Sequence, residues 1–342
     1  MIVHISNVHV FKDTRIQRHL SSSSKCIFIG IGESDSPKFK PVFRNRTFTN
    51  RLLFIFLFLA YIPKSASKVI IHDPELIFSA WLIKVLRGAN VAVYFDAHED
   101  VLKDILQKIW LKKWMRKVFS IFFNVIFIIF LPRIDGIMTV NQPLKFVYAK
   151  FNKNIYVLPN YPKKSELGEF RVRTLKKPLR ELKICYVGSI SQNRGIKQIL
   201  EIAVVVSNPI ILIGSFTDEK LFNWACSQPG WSNITFKGAV PYEHIREQIE
   251  HCEAGLLLLE NIDTFRDSTP VKIFDYGKLN QIILWTGSDD CHYKKYFDEG
   301  IAGIRIGSDL KSIQIDYDEI RDFSIQNDLS NYTWETASVG FY

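Results

Sequence analysis

Apolar positions along the chain fall into short β-branched runs, separated by polar turns and by stretches with helical spacing. Residues 2–5 read as a strand that runs into Ser6-Asn7-Val8-His9, and Asp13 stands where it can cap a helix opening at Thr14-Arg15-Ile16. Residues 26–31, 68–71, 90–95, 136–140 and 156–158 repeat the strand pattern, with helical spacing over 78–86. Between 163 and 182 the composition shifts to Lys, Arg, Glu and Pro, which reads as a linker. The pattern then restarts: a strand over 183–187, a loop over 188–193, a helix beginning at Arg194, and further strands at 210–213, 234–237, 255–259 and 282–285. Such alternation specifies parallel, doubly wound α/β sheets. The expected division is a domain over 1–162, a linker over 163–182 and a domain over 183–342, its last helix free to pack back on the first domain.

Three segments depart from this rhythm. Residues 33–51 are polar and basic, with Arg44 and Arg46, and read as a solvated connection. Residues 101–118 have near-helical apolar spacing at Leu102, Ile105, Leu106, Ile109, Trp110 and Trp114, surrounded by Lys103, Lys108, Lys112, Lys113, Arg116 and Lys117, with Asp104 the one opposing charge. A basic helix carrying tryptophans suits an anionic membrane surface, which is the expected partner of residues 103–117; a surface helix with solvated lysines is the alternative. Two apolar runs, 52–62 and 118–131, are shorter than the roughly 20 residues that cross a bilayer and are expected as buried or interfacial helices.

At 342 residues the chain has room for two domains, and 47% hydrophobic with 23% charged residues describes a globular protein. The net charge of +9 would serve nucleic acid, anionic lipid or a phosphorylated substrate. Zinc-finger spacing and RNP-like aromatic motifs are absent, so nucleic acid is not expected as a partner. Five cysteines, odd in number and without a CxxC pair, fit a reducing cytosol better than a disulfide framework or a metal site. Residues 1–6 read as a strand with no basic region ahead of it, so no signal peptide is expected.

Candidate chemistry gathers at residues 267–277, Asp-Ser-Thr-Pro-Val-Lys-Ile-Phe-Asp-Tyr-Gly. Pro270 would set the first turn of a helix capped by Thr269 or Ser268, and Lys272 would add a full charge to the helix N-terminus, an arrangement suited to a phosphate or diphosphate. Asp267 and Asp275 bracket that start, each able to accept two hydrogen bonds from a vicinal diol. The same stretch can also be an ordinary capped helix with solvated acids. No GxGxxG follows the first strand, which argues against a dinucleotide. Polar residues directly after the strands, His72-Asp73-Pro74-Glu75 and Asp96-Ala97-His98-Glu99, would lie at the carboxyl edge of a sheet, where open α/β folds bind ligands.

These motifs, with Asp13-Thr14-Arg15-Ile16 near the start and the spaced acidic pair, resemble the GT-B glycosyltransferases of family 4, whose pair is Glu, seven residues, Glu; here both positions are Asp. The resemblance implies two Rossmann-like domains facing each other across a cleft, with a nucleotide-sugar donor on the second and a glycan or lipid-linked acceptor on the first. It implies a donor site of Gly188, Ser189, Arg194, Gly214, Ser215, Gly238, Lys272 and Asp275, catalytic roles for His98, Asp267 and Arg194, and Asp13, Arg15 and His98 on the acceptor side. Ser189 stands where the family usually has a basic residue. Arg194, Lys272 and the helix N-terminus would carry the diphosphate charge, so neither a metal nor a cofactor is expected. The implied reaction is retaining transfer from a UDP- or GDP-sugar, by a cytoplasmic protein peripheral to the inner face of the cell membrane. A nucleotide-sugar epimerase of the same architecture and a catalytically silent nucleotide-binding subunit remain as alternatives.

Overall fold

The structure is a computed structural model, and it describes residues 1–108, 111–167, 172–307, 320–325 and 327–342. The chain divides into two compact units, Met1–Asn160 with Trp334–Tyr342, and Tyr161–Thr333.

The first unit is built on a seven-stranded sheet in the order β3-β2-β1-β4-β5-β6-β7, every pairing parallel. Its strands are β1 (Ile2–Ile5), β2 (Cys26–Ile31), β3 (Phe39–Phe43), β4 (Lys68–Ile71), β5 (Ala92–Ala97), β6 (Gly136–Thr139) and β7 (Ile155–Val157). Helices cover both faces of a parallel sheet, so its central strands read as nearly unbroken apolar runs. Asp13 caps α1 (Thr14–Ser21) as its sequence suggested, its carboxylate accepting from the amides of Arg15 and Ile16. On one face α2 (Phe48–Leu57), α3 (Ile77–Arg87), α5 (Lys113–Phe130) and α6 (Gln142–Ala149) bury Phe54, Ile77, Ala80, Phe127 and Tyr148 against the sheet. The opposite face packs Ile16 and Leu20 of α1 in one cluster, and Trp334 and Phe341 of the C-terminal segment in another.

Several expectations change here. The 33–51 stretch carries strand β3 and opens α2, and Arg46, though exposed, donates from its guanidinium to the carbonyls of Val8, His9 and Ile31. Residues 101–118 do not form one helix: α4 (Val101–Gln107) ends before α5 begins at Lys113. Ile109 and Trp110 lie outside the described residues. The two apolar runs are largely exposed, and the second belongs to a 21-residue helical stretch, Lys113–Arg133, long and apolar enough to cross a membrane yet only 11% buried in its most apolar window.

The second unit has a six-stranded parallel sheet, β11-β10-β9-β12-β13-β14, from β9 (Ile184–Val187), β10 (Ile210–Ile213), β11 (Ile234–Gly238), β12 (Ala254–Leu257), β13 (Ile282–Trp285) and β14 (Gly303–Arg305). Counted from its own first strand, this is the order 3-2-1-4-5-6 of the dinucleotide-binding fold, with a switch point beside β9. Residues 163–182 are not a bare linker. They include β8 (Arg173–Pro178), which pairs antiparallel with β15 (Ile320–Ile325), and they bury Leu175, Leu179 and Leu182 in this unit's core. Those three leucines were the signal that the charged composition hid.

Candidate functional site

In the first unit, polar groups collect at the carboxyl ends of β1, β4 and β5. Asp96 lies within β5 and is fully buried. Arg15 approaches it through Nε at 2.7 Å from Oδ2 and through its second amino group, while His72 Nδ1 stands 2.9 Å and His19 Nε2 3.3 Å from the same Oδ2. Burial opposes the charge on Asp96, but Arg15, then the hydrogen bonds from Arg15, His19 and His72, hold its carboxyl well below the usual range. Arg15 is therefore committed to a buried ion pair and also donates to the carbonyl of Leu158. Its contribution to an acceptor site is positional.

Asp73, equally buried, accepts from Ser6 Oγ at 2.7 Å and from the amides of Asn7 and Val8 at 2.7 and 3.2 Å. It thereby shapes the turn between β1 and α1 and places His9. Burial opposes charging of His9, but the hydrogen bond to Asp13 and the fields of Asp73 and Asp13 outweigh it and raise its pKa. Burial, reciprocally opposed and outweighed by His9, leaves Asp13 at about 2. His98 behaves oppositely: burial pushes it down to about 4. A charged His9 donates from both ring nitrogens, Nδ1 to Asp13 at 3.2 Å and Nε2 to His98 Nε2 at 3.1 Å. A neutral His98 accepting at Nε2 carries its proton on Nδ1, and that atom has no partner among the described residues. With His9 charged, His98 takes that tautomer and keeps one N–H without a partner, shut from solvent in this structure. His9 and His19 were not assigned site roles from sequence, since a histidine in a turn and one in a helix gave little sign of converging; Asp96 was expected at the carboxyl edge of the sheet but given no role of its own, and it lies inside β5.

His19, His72 and Asp96 place ligand atoms within 4.8 Å of one another, the spacing of a metal cluster. Arg15 already pairs with both oxygens of that carboxylate, so a cation would have to displace an ion pair to enter. The chain also holds one Asp-x-Asp triplet, Asp316-Tyr317-Asp318, outside the described residues.

In the second unit the ends of three neighbouring strands each carry a glycine with positive φ: Gly188 at 132°, Gly214 at 145° and Gly238 at 68°. The amide of Gly188 donates to the carbonyl of Ile213, and that of Gly214 to the carbonyl of Gly238. A Cβ on Gly214 would run into the carbonyl oxygen of Gly188, and one on Gly188 would lie 3.0 Å from Lys272 Cε. Ser189 and Ser215 are exposed beside this rim; the Ser189 carbonyl accepts from Tyr186 and the Ser215 carbonyl from the amide of Ile190.

Lys272 enters beneath Gly188. Its ammonium sits 3.5 Å from the centre of the Tyr186 ring and makes no hydrogen bond among the described residues. Burial, then the nearby Arg194, drives its pKa well below the ordinary lysine value. Arg194 ends a 3₁₀ turn, Gln192–Arg194, and its guanidinium lies 5.8 Å over the Phe265 ring. Two cations, one stripped of hydrogen bonds, thus converge near glycine backbone at a switch point, a combination that accepts a polyanion.

The helix at this site differs from its sequence expectation. It spans Lys272–Gly277, six residues long and without a side-chain cap; Ser268 Oγ instead donates to the carbonyl of Phe265. The charge of Arg194, with that of Lys272 when protonated, therefore matters more here than its dipole. Asp275 accepts from Tyr242 at 3.0 Å and from Lys278 at 2.9 Å through one oxygen, Oδ1. Tyr242 and Lys278 were missed from sequence, although Lys278 three residues on from Asp275 offered a helical pairing signal. Asp267 closes the short helix Asp263–Arg266, its amide donating to the carbonyl of Asp263, and it contributes to the field around His292.

Solved structures with this fold settle the architecture. Sucrose-phosphate synthase from Thermosynechococcus elongatus superposes with a TM-score of 0.63 at 12% identity, covering 92% of this chain and 88% of that one. The fold is GT-B. WaaG, a glycosyltransferase involved in lipopolysaccharide biosynthesis, gives 0.60 at 11% identity over 92% of this chain and 89% of its own. The lipopolysaccharide outer core galactosyltransferase WaaB gives 0.59 at 12% identity over 100% and 98%. No protein-family model and no curated protein sequence matches the chain.

Proposed function

We propose that this GT-B protein is a nucleotide-sugar glycosyltransferase of the family 4 type, moving a hexose from a UDP- or GDP-linked donor with retention to a lipid-linked glycan. The reading places it at the cytosolic face of a membrane, in surface polysaccharide synthesis. The observation that carries it is Lys272, an ammonium shut from solvent without a hydrogen-bond partner, beside Arg194 and under the Gly188 backbone.

In this reading the diphosphate takes the place of the missing partner. Its developing negative charge as the sugar departs is stabilised by Lys272 and Arg194, groups already in position before reaction. Asp275, with one oxygen held by Tyr242 and Lys278, offers its other oxygen to a ribose hydroxyl. Asp267 faces the donor sugar. His98, its tautomer set by His9, donates its Nδ1–H to a sugar or acceptor oxygen.

Thermal unfolding in a panel of nucleotides and nucleotide sugars tests the donor site. A ligand at a hundred times its dissociation constant adds about 2.7 kcal/mol. Selective stabilisation by UDP- or GDP-linked species is expected, and absence of any nucleotide shift would overturn the reading. Nucleotide release only on addition of a glycan acceptor separates transfer from epimerisation, while binding without turnover under every acceptor would make the protein a silent subunit.

A further inference from the structure

The outer face of the first unit's helical layer carries apolar surface that its own fold leaves uncovered. Helices α2, α3 and α5 lie side by side, joined by ring contacts of Phe56 with Phe78 at 6.3 Å, Phe78 with Phe130 at 5.4 Å and Trp81 with Phe130 at 5.2 Å. Outward from this seam, Phe48 is 77% exposed, Ile121 64%, Trp114 64% and Phe122 56%. A helix apolar on every side is normally enclosed by protein or lipid, and monomers rarely expose an apolar patch of this kind without a partner.

Charge selects the partner. No Asp or Glu occurs between Asp35 and Asp73, none between Glu75 and Asp96, and none between Asp104 and Asp135, so α2, α3 and α5 are free of acidic residues. Lys112, Lys113 and Lys117 stand exposed at the start of α5. A second copy docking through this face would set like charges against each other, whereas an anionic bilayer offers hydrocarbon to the aromatic residues and headgroup charge to the lysines.

We propose that the α2–α3–α5 face inserts monotopically into the hydrocarbon boundary of an anionic membrane leaflet. Helix α5 lies along the surface and does not span, because Phe127 anchors it by ring contacts with Phe95 at 6.4 Å, Tyr148 at 6.0 Å and Phe151 at 5.5 Å. This extends the membrane contact expected over 103–117, of which Lys112, Lys113, Trp114 and Lys117 remain part, to a three-helix apolar face, and it does not depend on the proposed activity.

Flotation of the full chain with phosphatidylcholine vesicles, with and without phosphatidylglycerol, tests it. The protein is expected to float with the anionic vesicles and to stay bound when high salt is added after binding, since hydrocarbon contact is not screened. The double substitution Ile121→Glu and Phe122→Glu is expected to lower partitioning at least about tenfold with an unchanged melting temperature, because both side chains already face outward. Phe48→Glu on α2 gives an independent check on a second helix. Release of all protein by salt would mean adsorption through lysines alone and would overturn insertion. Failure to float, or a dimer in light scattering that the double variant reduces to monomer, would overturn the membrane as the partner.

Discussion

Lys272 is the residue on which the donor site turns. Burial, then the charge of Arg194, makes its ammonium lose a proton more readily than an ordinary lysine does, and an arriving diphosphate favours the charged form. Nucleotide binding should therefore be linked to proton uptake, read by calorimetry in buffers of differing ionisation enthalpy, and Lys272→Met should abolish the uptake and weaken binding. Arg194→Ala should lower turnover about 10²–10³-fold, checked by acceptor-dependent nucleotide release. In the first unit, burial holds His19 at about 3 and His98 at about 4, both below the ordinary 6.5. The unfolded chain then binds protons that the folded chain refuses. Their contribution to stability is complete above pH 6.5 and is lost as the pH falls toward those folded values, with His9, raised in the fold, giving a smaller opposite contribution. Melting temperature measured from pH 7.5 to 5 should fall, and the fall should be shallower in His19→Asn.

At the scale of elements, the strand ends decide more than the helices. Gly214 holds φ at 145° and passes directly over the carbonyl of Gly188, so Gly214→Ala should destabilise the second unit by about 1–3 kcal/mol or more, measured by denaturant unfolding. Most strands were legible: 2–5, 26–31, 68–71, 210–213 and 282–285 appear at the boundaries their apolar runs suggested, because strands buried on both faces must be apolar throughout. β3 was not legible, since its Phe-Lys-Pro-Val-Phe sits at a sheet edge and keeps lysine and proline. The break between α4 and α5 was hidden because apolar spacing continues through it, and helical periodicity alone does not mark a change of direction.

At the scale of the whole molecule, the C-terminal segment Trp334–Tyr342 belongs to the first unit although the second unit precedes it in the chain. Trp334 is buried, donates from Nε1 to Ser22 Oγ at 2.7 Å, and packs edge-on against His19, while the Tyr342 hydroxyl meets His19 Nδ1. Truncation after Thr333 should remove that cover and destabilise the first unit, with Trp334→Ala alone costing about 3–5 kcal/mol. Hydrogen exchange should locate the loss in β1, β2 and α1, leaving the second unit's sheet protected.

Local chemistry in the sequence determined the alternation of strand and helix, the doubly wound class, the Asp13 cap and the polar residues at strand ends, because each follows from neighbours a few positions apart. Tertiary structure decided what those residues do. It turned Arg15 inward to Asp96, joined His9 to His98 across 89 positions of chain, left the Lys272 ammonium without a partner, and exposed the apolar side of α5 that composition alone would have buried. Burial and convergence are sums over distant parts of the chain, and no local window contains them.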